Sequence, residues 1–343
     1  MSRVEALMAR EIGEAPHVVR RQVEGLARPM AELVARLKRR PPQVVVTCAR
    51  GSSAHAATYA KHLIERYLGA PVAEAAPNIA SVYGQRLRLR DQLFLAISQS
   101  GRSDDLIEMA RGARSAGALT AAIVNATDGP LVNACDIIMP MGAGPELSVA
   151  ASKTFVATLA ALLRLTASWT DDRGLADAVE RLPDRLTDAA ALDWSAVASA
   201  LASTVSLVTI GRGPTLAIAR EASLKLKETC NLHAEAFSGA EFLHGPVALV
   251  SSRYPILMFM PTDQAAPGMQ QLAATLREKR TALFVAETGG AQDGRLAALA
   301  PDHPETDAVC LIQSFYAMLI PLAERLGADV DRPRHLQKVT RTR

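Results

Sequence analysis

Residues 93–105 read LFLAISQSGRSDD, and the fold turns on how this stretch divides. Leu93-Phe94-Leu95-Ala96-Ile97 is an unbroken apolar run, the pattern of a strand buried on both faces. Ser98, Gln99, Ser100, Gly101 and Ser103 follow, all small or polar. Asp104-Asp105 then opens Leu106-Ile107-x-Met109-Ala110, which has helical spacing. A strand that passes through hydroxyls and a glycine into a helix start offers donors where the helix dipole already favours an anion. The loop has no lysine, and its glycine spacing is not that of a nucleotide loop, so the expected anion is a single phosphate. Taken alone, the stretch reads equally as a hydroxyl-rich N-cap turn.

Outward from this unit, strand-like and helical runs alternate. Residues 44–48 read as a strand, Ala49-Arg50-Gly51-Ser52-Ser53 as a turn, and a long helix follows to residue 67. Further strands are expected at 71–74, 119–125 and 136–140, a loop at 142–148, and a strongly apolar helix at 150–169. Residues 3–38, with Val4, Leu7, Met8 and Ile12 apolar and Pro16 between, predict one or two amphipathic helices. Residues 170–195, rich in Asp and Arg and containing Pro183, predict a helical linker. Such alternation predicts an α/β fold with a parallel sheet covered on both faces.

Composition narrows the functions. The 38 basic and 35 acidic residues leave a net charge of +3, too near balance to suggest nucleic acid or membrane as partner. Cys48, Cys135, Cys230 and Cys310 lack CxxC spacing and read as small buried hydrophobes in a reducing cytosol. His55 with His62, and His233 with Glu235, make no compact ligand set, so neither a metal nor another cofactor is expected. Arg3, Glu5, Arg10 and Glu11 leave no room for a signal-peptide core. The best apolar stretch, 154–169, contains Arg164 and falls short of a membrane span. A soluble cytoplasmic protein is the expectation.

The pattern then restarts. Val46-Thr47-Cys48-Ala49-Arg50-Gly51 aligns with Val208-Thr209-Ile210-Gly211-Arg212-Gly213, and the same 162-residue shift lays Leu93 to Ile97 on Pro255 to Phe259. One shift that fits two strand-plus-turn units indicates an internal duplication. The counterpart of Ser98-Gln99-Ser100-Gly101 is Met260-Pro261-Thr262-Asp263, which has lost the serines. The second half is therefore expected to keep the sheet without the phosphate cradle, with one site per chain completed by residues from that half.

Eight motifs stand in order along the chain. They are Glu11-Ile12-x-Glu14-x-Pro16, Ser98-Gln99-Ser100-Gly101, Val149-Ala150-Ala151-Ser152-Lys153 and Glu221-Ala222-Ser223-Leu224-Lys225-Leu226-Lys227-Glu228. Then come His233-Ala234-Glu235, Glu241-Phe242-Leu243-His244-Gly245-Pro246, Asp329-Val330-Asp331-Arg332-Pro333 and Leu336-Gln337-Lys338-Val339-Thr340. With these motifs the chain resembles the sugar isomerase (SIS) domain family, and more closely the isomerase half of the glutamine–fructose-6-phosphate aminotransferases. The resemblance implies two tandem SIS domains, each a flavodoxin-like three-layer sandwich. Residues 1–170 would carry the phosphate cradle, 171–330 the linker helix and second domain, and 331–343 a tail over the active site.

The resemblance also assigns residues. Ser53, Ser98, Gln99, Ser100 and Ser103 match the family's phosphate site, Ser103 replacing the usual threonine. Val149, Ala150 and Ala151 match the segment lining the sugar, and Ala151 stands where the family has serine. Glu228, by local sequence a solvated helix end, matches the glutamate that moves a proton between C1 and C2. One carboxylate over two adjacent carbons can remove and return the same proton, and Lys225 would stabilise the enolate charge. His244, otherwise a turn residue, matches the ring-opening histidine, which in the family comes from the neighbouring subunit, implying a homodimer. Lys338, otherwise part of a frayed basic tail, matches the lysine that contacts or forms a Schiff base with the open-chain carbonyl.

The aminotransferases carry an N-terminal glutaminase domain that supplies ammonia, whereas this sequence starts at the isomerase half. The expected reaction is therefore the reverse one: glucosamine 6-phosphate and water to fructose 6-phosphate and ammonia. Other readings are a fructosamine-6-phosphate deglycase, a galactosamine-6-phosphate deaminase/isomerase, an ammonia-dependent synthase, or a sugar-phosphate sensor that binds without turnover.

Overall fold

The computed structural model describes residues 5–289 and 294–338; Arg3, Val4 and the tail from Val339 on, including Thr340, lie outside them. The chain divides into two compact units. Among the described residues one unit holds 17–146, 153–180 and 337–338, and the other holds 5–16, 147–152, 181–289 and 294–336.

In chain order the first half comprises α1 (Leu7–Arg39), β1 (Val45–Cys48), α2 (Ser52–Leu68), β2 (Val72–Glu74), the single turn α3 (Asn78–Ser81), β3 (Leu93–Ser98), α4 (Asp104–Ser115), β4 (Leu119–Val124), β5 (Ile137–Pro140) and α5 (Lys153–Thr170). The five strands form one sheet in the order β2-β1-β3-β4-β5, every pair parallel. All six residues of β3 are buried, because a parallel sheet takes helices on both faces. Side chains alternate between those faces. Val46, Cys48, Phe94, Ala96 and Ala122 pack with Leu106, Ile107, Met109 and Ala110 of α4, while Leu93, Leu95 and Ile97 are equally buried.

The second half comprises α6 (Arg173–Ala190), α7 (Ser195–Leu201), β6 (Ser206–Gly211), α8 (Pro214–Cys230), β7 (His233–Ser238), α9 (Gly239–Leu243), β8 (Pro255–Phe259), α10 (Ala266–Glu278), β9 (Ala282–Thr288), β10 (Arg295–Ala298) and α11 (Pro304–Arg325). Its strands lie in the order β10-β9-β8-β6-β7, again all parallel. Read from the other edge, this repeats the topology of the first sheet. The 162-residue shift carries Ser52–Leu68 onto Pro214–Cys230 end to end. It also carries the N-cap Gly51 (φ 54, ψ −134) onto Gly213 (φ 58, ψ −128), and the left-handed C-cap Gly69 onto Asn231. A shared backbone conformation at both ends of the helix confirms the duplication. Val208, Ile210, Ile256, Met258 and Val285 pack with Met269, Leu272 and Leu276 of α10. On α11, Phe315 stacks edge-on with Phe259, their ring centroids 6.1 Å apart.

Some expectations change. Residues 7–39 form one helix through Pro16, not two. The apolar helix begins at Lys153, so 150–152 lie outside it. Residues 233–238, read only as a motif, form an edge strand. By length and composition the helix best suited to cross a membrane is α11, not 154–169, but 83% of its most apolar window is buried. It is the core helix of its unit.

Candidate active site

β1 and β3 run side by side, Cys48 opposite Ala96, and the sheet order reverses between them. In doubly wound sheets the crevice beyond the strand ends at such a switch point is where ligands bind. The turn after β1 leads into α2 and the turn after β3 leads into α4, so two helix N-termini start at adjacent strand ends. That supplies backbone donors and dipole for an anion. Ser98 is buried, its Oγ accepting from the Gly101 N–H at 3.0 Å, and Ser100 Oγ accepts from the Arg102 N–H at 3.3 Å. Ser53 lies in the first turn of α2 and Ser103 is the N-cap of α4, its side chain making no cap bond. Gln99, Ser100, Ser53 and Ser103 are all partly exposed. The turn is braced by Gly129, where a Cβ would lie 2.8 Å from the Ser100 carbonyl oxygen.

Asp105 would repel an anion here. It is 1% exposed and receives two bonds from Arg50, Nη2 at 2.7 Å and Nε at 3.1 Å. Arg50 belongs to the turn after β1, so it neutralises the acid and ties the two turns together. Neither residue stood out in the sequence, since an Arg–Asp pair 55 residues apart has no local signature.

In the other unit, the 147–151 segment is held by two acids. Glu11, 1% exposed on α1, takes the Ser148 hydroxyl and the Leu147 N–H. Asp331 caps α1 through the Leu7 and Met8 N–H groups, each at 2.8 Å, and its carbonyl accepts the Val149 N–H at 3.1 Å. Three motifs far apart in sequence thus meet around Val149, with Ala150 buried and Ala151 partly exposed. The backbone bends through 148–150, and α5 starts only at Lys153.

Along one face of α8, Glu221, Lys225 and Glu228 stand at i, i+4 and i+7, the spacing at which helical side chains meet. Glu221 is fully buried and Lys225 1% exposed, whereas the Glu228 side chain is 21% exposed. Lys225 Nζ contacts Glu228 Oε2 closely and Glu221 Oε1 at 3.3 Å. Tyr316 on α11, also fully buried, donates its hydroxyl to Glu221 Oε1 at 3.0 Å. Burial is the largest influence on Lys225 and lowers its pKa, yet Glu221 and Glu228 together raise it above the ordinary value. The lysine is therefore a fixed cation behind the one carboxylate of the row that reaches solvent. Glu221 was quoted only as part of a motif, and Tyr316, 95 residues away, gave no signal at all.

His244 caps the C-terminus of α9 on an exposed turn, between the exposed Leu243 (53%) and Leu249 (52%). Lys338 Nζ lies 3.3 Å from Glu146 Oε2, and the same carboxylate accepts the Thr154 N–H at 3.0 Å and hydroxyl at 2.6 Å.

Burial pushes the Cys48, Cys135 and Cys310 thiols up to about 12 and Cys230 to about 11. All four should resist a thiol reagent at pH 8 in the native protein and react in denaturant. Unfolded thiols ionise near about 8.5, so above that pH the unfolded state gains charge the fold denies it, and stability falls toward pH 12. Rapid labelling of the native protein would contradict this.

Known proteins resemble this chain in sequence and in fold. The SIS domain family matches residues 40–168 and 200–320. The glutamine–fructose-6-phosphate aminotransferase [isomerizing] of Pseudomonas syringae pv. tomato is 32% identical over 364 residues, covering 96% of this chain and 58% of that protein. The chain thus spans little more than half the length of that curated relative. A solved structure of a proposed phosphosugar isomerase from Silicibacter pomeroyi DSS-3 is 42% identical with a TM-score of 0.90, covering 95% of this chain and all of the other. The C-terminal domain of glucosamine-fructose-6-phosphate aminotransferase from Francisella tularensis has a TM-score of 0.84 at 24% identity, over 96% of this chain and 99% of that one, a likeness of fold alone. With both sheets, their shared topology and both matched segments in agreement, this chain belongs to the SIS domain family.

Proposed function

We propose that the chain is a phosphosugar enzyme that moves hydrogen between C1 and C2 of an amino-sugar 6-phosphate, releasing fructose 6-phosphate and ammonia from glucosamine 6-phosphate and water. The observation that carries this reading is the Glu221–Lys225–Glu228 row, buried at one end and open at Glu228.

The phosphate would sit on Ser98, Ser100, Ser103 and Ser53, with Gln99 beside them. Once His244 has opened the ring, Glu228 removes the C2 proton and the electron pair moves toward the C1 oxygen, where Lys225 offsets the charge. Returning the proton to C1 leaves an imine at C2, and water adds there to expel ammonia. Lys338, ion-paired with Glu146, suits contact with the carbonyl oxygen better than attack on its carbon, because a nucleophilic lysine must first lose its proton. Val149, Ala150 and Ala151 would line the sugar.

His244 is proposed to act in a neighbouring copy of a homodimer, which the exposed leucines flanking it support. Mixing inactive Glu228→Gln and His244→Ala chains should then restore about a quarter of the wild-type activity. Half the dimers are mixed, and each has one intact site. No recovery would place His244 in its own chain's site.

The deciding assay incubates the purified chain with glucosamine 6-phosphate and follows fructose 6-phosphate and ammonia, which should appear in equal amounts. Ammonia or amine release only from a glycated amino-acid 6-phosphate, turnover only of galactosamine 6-phosphate, or binding without turnover would each overturn the reading.

A further inference from the structure

We propose that Tyr316 is a positioning residue that sets how the Lys225 charge is divided between Glu221 and Glu228. This deepens the proposed proton transfer and rests on it for its kinetic consequence. The geometry is specific: the Tyr316 hydroxyl and the Lys225 ammonium both address Glu221 Oε1, at 3.0 and 3.3 Å. The phenol satisfies part of that buried carboxylate from the α11 side, so less of it is satisfied by the lysine. Lys225 leans accordingly on Glu228, which it contacts more closely than Glu221.

The arrangement is sealed. Tyr316 and Glu221 are fully buried and Lys225 is 1% exposed, so water does not substitute for any of these donors. Buried charges interact strongly across such distances, and a single neutral donor shifts the balance of the row. Glu228 also acts on Lys227 of α8, which Glu235 of β7 influences in the same direction; β7 carries His233 as well. β6 and β8, which also pack on α8, carry no charged or titratable group. On α11 the hydroxyl of Tyr316 bonds directly to the row, at Glu221 Oε1.

Two near-isosteric variants should act in opposite directions. In Tyr316→Phe, Glu221 draws Lys225 back and Glu228 loses counter-charge, so its carboxyl holds a proton to higher pH. In Glu221→Gln the competing charge is gone, Lys225 serves Glu228 alone, and the carboxyl ionises at lower pH. The acid limb of the kcat/KM profile should move by about 0.5–1 pH unit, upward in the first and downward in the second, a three- to tenfold change in rate at a fixed pH on the limb. Carbon-13 titration of the Glu228 carboxyl in the substrate-free protein should show the same two displacements. Both variants losing activity and thermal stability with the limb and the midpoint unmoved would overturn the proposal, leaving Tyr316 a packing residue. Opposite midpoint displacements in a protein that turns over no hexose phosphate would uphold it and sink the proposed reaction instead.

Discussion

Glu228→Gln should lower kcat on glucosamine 6-phosphate by about 10²–10⁴-fold, the range expected when a positioned general base is removed, while KM changes by only a few-fold. The amide has nearly the shape of the carboxylate but cannot take a proton from C2. Substrate affinity rests chiefly on the phosphate, which is proposed to bind the Ser98–Ser103 turn, where no atom changes. A thousandfold loss corresponds to about 4 kcal/mol of transition-state stabilisation. Proton exchange provides a second readout: in heavy water the wild type should incorporate deuterium at C1 or C2, and the variant should not. A variant that keeps a tenth of the wild-type kcat would show that another group moves the proton. The Lys225 contact is retained by the amide oxygen, so a large fall in stability is not expected to confuse the result.

Lys225→Met should destabilise its unit by about 3–5 kcal/mol, the range found when one partner of a buried ion pair is removed. The methionine fills the aliphatic path of the lysine but removes the cation beside Glu221, which is fully buried, while the neutral Tyr316 hydroxyl remains on its Oε1. Glu228 simultaneously loses its closest cation. Urea unfolding followed by circular dichroism would measure the change. Lys38 provides the contrast: it bonds Asp171 at 2.6 Å, yet the two side chains are 39% and 80% exposed. Lys38→Met should therefore cost less than about 1 kcal/mol. Equal losses in the two variants would mean that burial of the row contributes nothing to its strength. Catalytic loss in Lys225→Met should exceed the loss attributable to unfolding, because the enolate also loses its cation.

Ser98 and Asp104 could be placed from sequence because the cues are local. An apolar run of five, a change to hydroxyls and a following helical period mark strand end and helix start within about a dozen residues. The duplication was equally legible, since Gly51 and Gly213 fall at one shift and both adopt the positive φ that a glycine accepts without strain. Residues 150–152 were misread as helix because Ala-rich sequence favours helix by propensity. Glu11 and Asp331, each more than a hundred residues away along the chain, instead bond to Leu147, Ser148 and Val149 immediately before them.

The alternation of strand and helix in the first half, the two helix starts and the serines of the turn were thus determined by the sequence itself, through hydrophobic period and turn chemistry acting over short spans. Tertiary structure alone decided that Arg50 neutralises Asp105, that Asp331 caps α1 and fixes Val149, and that Tyr316 reaches Glu221. Those are pairings of single polar groups, whose strength comes from removing water around them. Burial of that kind is a property of the packed chain, and no window of residues carries it.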